Sequence, residues 1–162
     1  MRRLPQWIAG ISVYAVLTWL FDYVGYSIVI WKLGLIQGGI VMAILAFFLD
    51  WYSVKYYNYL QTDWLAMEYI KSLRNYEGKN KIKRMTKYIL TKTSRPIQII
   101  FFSLKFNPFI TTIMMSTEAF NPKGMTRQDW RTFIISHVIG QLYWIFVIAG
   151  GVYGLMALFY TK

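Results

Sequence analysis

Asp22, Asp50, Lys105 and His137 are the side chains in this 162-residue sequence whose types could do chemistry, because each interrupts an otherwise apolar stretch. At the centre of a bilayer an Asp or Lys costs at least about 2.5 kcal/mol, so each needs a partner, water or a use. A carboxylate beside an imidazole or an ammonium in that setting can relay a proton, hold a cation or fix the pairing of two helices. A helix rises about 1.5 Å per residue, which puts Asp22 about nine residues below the outer end of the first apolar segment. The same rise puts His137 about six residues below the outer start of the last segment, so an Asp22–His137 contact is expected. Lys105 enters the third segment from the inner side, and its long stem reaches towards Asp50, so an Asp50–Lys105 contact is expected too. Helix pairing is the plainer role for both, and transport or proton relay the chemical one.

Lys105-Phe106-Asn107-Pro108 is the most unusual stretch. Pro108 removes a helical hydrogen bond and crowds the carbonyl of Leu104. A break next to a polar residue can mark a substrate site in a transporter, whereas a plain kink is the structural reading. Beyond it, Thr111, Thr112, Ser116 and Thr117 have hydroxyls suited to bonds between helices.

Other chemistry is excluded by what is missing. There is no cysteine and one histidine, so disulfides, thiolate nucleophiles and the usual His or Cys metal sites are not available. No G-x-S-x-G, H-E-x-x-H or Walker sequence occurs, and the seven acids are scattered. Neither an enzyme nor a bound metal or cofactor is expected.

The elements that must position these residues are membrane helices. Hydrophobic residues make up 56% of the chain and charged ones 15%, too few to solvate a soluble domain of this size. Leu4–Phe21 and Thr132–Thr161 contain no Asp, Glu, Lys or Arg, and such runs are long enough to cross about 30 Å of hydrocarbon. Met1-Arg2-Arg3 followed by an apolar run imitates a secretory signal, but without an Ala-x-Ala site it is expected to be an uncleaved first helix. The fold class expected is an all-α integral membrane protein forming a single membrane domain. Four transmembrane helices are placed at about 6–31, 34–54, 97–117 and 130–160. Small residues at four-residue spacing, such as Gly34 and Gly38 or Ser136 and Gly140, suit close helix contact within the chain. Thr126-x-x-Asp129 is a capping box for the last helix.

Residues 60–95 are expected to form a basic helical hairpin. Thr62 or Asp63 caps a helix over 64–76 that ends at Gly78, with Glu68 and Lys71 paired at i, i+3, and a second helix covers 80–93. Lys79, Lys81, Lys83, Arg84, Lys87 and Lys92 surround that second helix, which fits an interfacial element resting on anionic lipid headgroups. Ten of the eighteen Lys and Arg lie between Trp51 and Pro96 against three acids. The positive-inside rule accounts for this excess without nucleic acid, and it places the segment and both termini in the cytoplasm. A bacterial inner membrane suits that topology. Small size and absent catalytic groups favour a non-enzymatic accessory, assembly or scaffold component, with a membrane-protein partner or a second copy as its target. A small proton- or ion-coupled transporter or channel is the alternative, and an immunity-type membrane protein a further one.

Overall fold

The computed structural model describes residues 4–72, 75–117, 121 and 123–160. All regular structure among them is helical. The chain begins with α1 (Leu4–Trp19), passes through a π-helical turn (Leu20–Gly25) and continues as α2 (Tyr26–Leu33). Gly34 adopts φ 78°, a left-handed value that suits glycine, and turns the chain into α3 (Leu35–Leu60). Two short helices follow, α4 (Met67–Ser72) and α5 (Lys81–Lys92), and then α6 (Arg95–Lys105), α7 (Pro108–Met115) and the long α8 (Arg127–Tyr160).

Three helices are long and apolar enough to cross a bilayer: Gly10–Leu33, Leu35–Leu60 and Arg127–Gly151. Their outward faces carry large apolar side chains, with Ile36 77% and Phe146 70% exposed. Water would penalise such a surface, and lipid does not. α2 and α3 form the antiparallel hairpin expected of their short link. Gly38 makes it possible: a Cβ there would sit 2.9 Å from the Ile30 Cα, so only hydrogen lets the backbones meet. α8 runs antiparallel to α3, since Gly39 faces Ile145 while Phe47 meets Phe133 with ring centroids 5.3 Å apart.

The expected third crossing over 97–117 is not one continuous helix. α6 has 11 residues and α7 has 8, about 16 Å and 12 Å long, each well short of a bilayer. Phe106 (φ −134°, ψ 164°) and Asn107 (φ −75°, ψ 168°) are extended between them. The chain then doubles back, because the Arg95 guanidinium at the start of α6 donates to the Met115 carbonyl at the end of α7 (3.3 Å). Pro108 is therefore the first residue of α7, not a kink within a helix. The residue before a proline avoids helical angles, and Asn107 uses that constraint to cap α7, its Oδ1 accepting from the Ile110 N–H at 3.1 Å. Since α8 runs antiparallel to α3, the start of α1 and the end of α8 lie at opposite ends of the helix bundle.

α7 is enclosed by protein, with all its residues except Ile110 buried. Phe109, fully buried, packs edge-on against Tyr14 (5.6 Å) and Tyr57 (5.9 Å). Thr112 bonds back to the Pro108 carbonyl (2.7 Å) rather than across helices, and the buried Thr111 hydroxyl has no hydrogen-bond partner. Beneath the hairpin, Asp63 ties the 61–67 segment together. Its carboxylate accepts from the Tyr57 hydroxyl (2.7 Å) and from the Met67 (2.6 Å) and Glu68 (3.0 Å) amides, starting α4. Leu65 and Met67 are thereby held in the same core as Phe109.

Several local expectations are met. Lys71 pairs with Glu68 at 2.9 Å. Both halves of the Thr126–Asp129 capping box form (3.0 and 3.1 Å), and Asn80, expected inside the second helix, instead caps α5 through the Lys83 amide (3.3 Å). The expected 64–76 helix begins later, at Met67, and is described as far as Ser72; Leu73 and Arg74 lie outside the described residues, as do Arg2, Arg3 and the side chains of Tyr69, Ile82 and Met85.

Candidate intramembrane site

The tip of the α6–α7 hairpin ends in the middle of the bundle, and a cavity of about 200 Å³ opens there. Its polar lining comes from every part of the membrane fold: Tyr14, Thr18 and Asp22 from the first crossing, Asp50 from α3, Asn107 from the tip and Gln141 from α8. Helix rise puts Asp22 about 16 Å below Leu33 and Asp50 about 22 Å below Leu35, so both carboxylates fall within the candidate membrane-spanning lengths of their helices.

Each side chain is placed by local structure. Asp22 sits in the π-helical turn, where the Tyr26 N–H reaches the Phe21 carbonyl. Such a turn inserts an extra residue into a helix and is frequent at functional sites. Here it gives Asp22 a face shared with Thr18 and Phe21 on the cavity. Asp22 is half-buried, with no hydrogen bond or ion pair among the described residues. Asp50 is 8% exposed and meets the Phe109 backbone N–H in the first turn of α7. That end of a helix carries a partial positive charge, so α7 itself is the counter-charge of Asp50. Asn107 works at both ends of its amide, capping α7 through oxygen and donating through nitrogen to the Tyr14 hydroxyl. The Tyr26 hydroxyl donates to Gln141, which binds the first crossing to α8 at the same depth.

Neither expected ion pair forms. His137 does not line the cavity. It packs against the rings of Phe47 (5.3 Å) and Phe133 (6.2 Å), with its buried Nδ1 lacking a hydrogen-bond partner. Counting residues from the helix ends matches His137 to Asp22 only for an α8 that starts at the end of the bundle where α2 turns into α3. α8 enters from the other end, and the residue it offers at cavity depth is Gln141, one turn further on. Lys105 ends α6 with its side chain exposed and no carboxylate within 4.0 Å. The break at Phe106 turns the chain just past it, so Lys105 instead lines a groove of about 450 Å³ beside the cavity. Tyr14, Thr18, Asp22 and Asn107 border both spaces. Two carboxylates thus share one intramembrane cavity with no cationic side chain lining it.

Tyr14, Thr18, Asn107 and Gln141 were not among the residues singled out from sequence. Asn107 had a readable signal, since Asn-Pro is a cap followed by a favoured first helical residue. Gln141 had one too, as an amide within an apolar run. Tyr14 and Thr18 resemble ordinary membrane-helix residues.

Of the six cations expected at lipid headgroups, Lys79, Arg84, Lys87 and Lys92 line one surface cleft of about 460 Å³. Lys83 lies over the Tyr76 ring at 5.4 Å, and Lys81 is exposed. No group of three or more His, Cys, Asp or Glu arranged to hold a metal occurs among the described residues. Comparison with known proteins finds no matching family model, no similar curated protein and no similar solved structure.

Proposed function

We propose that the chain is a small membrane transporter or channel that moves a proton or another cation past Asp22. The observation that carries this reading is the intramembrane cavity at the hairpin tip, where Asp22 has no partner. A deeply placed carboxylate with neither cation nor hydrogen bond costs several kcal/mol unless it binds a proton or a cation from the cavity. A helix broken beside a polar cavity is also a feature of many transporter sites, and here Asp50 meets the positive N-terminus of α7, leaving Asp22 as the carboxylate open to a cation.

The orientation that fits this reading has the N-terminus, the 61–94 segment and the 116–126 loop in the cytoplasm. Arg2, Arg3, the ten cations between Trp51 and Pro96, Lys123, Arg127 and Arg131 then lie inside, against Lys32 and Lys162 outside. Three crossings sort the charges more completely than four would, in keeping with the positive-inside rule and a bacterial inner membrane. The C-terminus is then external.

The test is proton flux driven by a pH gradient in proteoliposomes. Wild type is expected to carry flux, and Asp22→Asn, which keeps shape and removes the charge, to abolish it while remaining folded. An accessory or scaffold role is the second reading, supported by the basic face of α5. It requires folded wild type to carry no flux, and loss of a co-purifying membrane partner when that face is neutralised.

A further inference from the structure

The basic cleft beside α5 is built separately from the intramembrane site. Asn80 caps α5, and the chain before it turns back so that Tyr76–Lys79 forms one wall and α5 the other. Lys79, Arg84, Lys87 and Lys92 point cations at this space, and Glu77 is the one acid lining it. Lys87 is fixed at its floor, donating to the Tyr76 carbonyl at 2.9 Å. Lys79, Arg84 and Lys92 have no carboxylate within 4.0 Å. Holding like charges round one opening is unfavourable unless an anion joins them, and a phosphate oxygen accepts well from ammonium and guanidinium donors together.

The position of the cleft selects the source of that phosphate. Only Thr93 and Ser94 separate α5 from α6, whose hairpin enters the hydrocarbon region, so Lys92 is held at the bilayer surface. Tyr76 lines one side, and Tyr88, 61% exposed, the other, the ring type enriched at headgroup depth. We propose that this cleft binds the phosphate headgroup of an anionic lipid. Lys79, Arg84 and Lys92 supply the charge that a headgroup neutralises, and Lys87 fixes the floor. The site does not depend on the transport reading, since no residue of the cleft lines the intramembrane cavity.

The experiment is calorimetric titration of the full chain, in a neutral detergent, with dioctanoyl phosphatidylglycerol. Dioctanoyl phosphatidylcholine and glycerol 3-phosphate serve as comparison ligands. The glycerol lipid is expected to bind, and the two comparison ligands to bind far more weakly. The variant K79Q/R84Q/K92Q is expected to lose affinity on the order of a hundredfold, from about 1 kcal/mol per cation. The charge-keeping variant K79R/R84K/K92R should retain binding, which separates lost charge from a lost fold. K123Q/R127Q/R131Q, which removes as much charge from the same end of the bundle, should bind like wild type. Wild-type affinity in K79Q/R84Q/K92Q, or an equal loss in K123Q/R127Q/R131Q, would overturn the proposal. So would loss of binding in the charge-keeping variant, or glycerol 3-phosphate or the choline lipid binding as tightly as the glycerol lipid.

Discussion

Asp22 and Asp50 carry the same carboxylate in different settings, and their roles divide accordingly. Asp50 meets the N-terminus of α7, whose amide and partial charge are its partners. It therefore holds the hairpin tip against α3. Asp22 has no such support and lines both the cavity and the neighbouring groove. The proposed site for the ion or proton is therefore Asp22. His137 shows the opposite case, an ionisable side chain absorbed by packing between Phe47 and Phe133. His137→Phe, which extends the aromatic packing and removes an unsatisfied buried nitrogen together with the imidazole's hydrogen bond to the Ala43 backbone, is expected to leave flux unchanged. Loss of flux in that variant, with the fold intact, would place the imidazole on the pathway after all.

The α6–α7 hairpin is the element on which the site depends. Asn107 caps α7 and also fastens the tip to Tyr14 of the first crossing. Asn107→Ala loses both bonds and is expected to destabilise the protein by about 1–2 kcal/mol, read as a lower midpoint of thermal unfolding in detergent. An unchanged midpoint would mean that burial of Phe109 and its neighbours holds the hairpin without the cap. The crossings themselves were legible in the sequence, since uncharged runs such as Leu4–Phe21 and Thr132–Thr161 have few other solutions. Capping was legible too: Thr126 with Asp129 carries a short-range signal that tertiary structure did not override. The hairpin was not. Pro108 in an apolar run fits either a kinked crossing or a reversal, and what decides between them is the long-range bond from Arg95 to Met115. A continuous third crossing would start α8 at the opposite end of the bundle and put His137 in the position that Gln141 occupies.

At the scale of the whole molecule, the proposed topology of three crossings and one hairpin gives the two faces very different charge. In that topology the N-terminal end of the bundle gathers nearly all of the Lys and Arg, with the cleft beside α5 among them. The chain contains no cysteine, so single cysteines report topology cleanly. In right-side-out vesicles an impermeant maleimide is expected to label Lys32→Cys and Lys162→Cys but not Lys79→Cys or Lys123→Cys. Labelling of position 123 with protection of 162 would restore a fourth crossing. The central claim is that the cavity at the hairpin tip is a cation path through Asp22. It is tested most directly by pH-gradient flux in proteoliposomes, comparing wild type with Asp22→Asn at matched protein content. The account predicts flux in wild type and none above empty vesicles in Asp22→Asn, with both eluting as the same folded species. Equal flux in the two, or none from folded wild type, would contradict it.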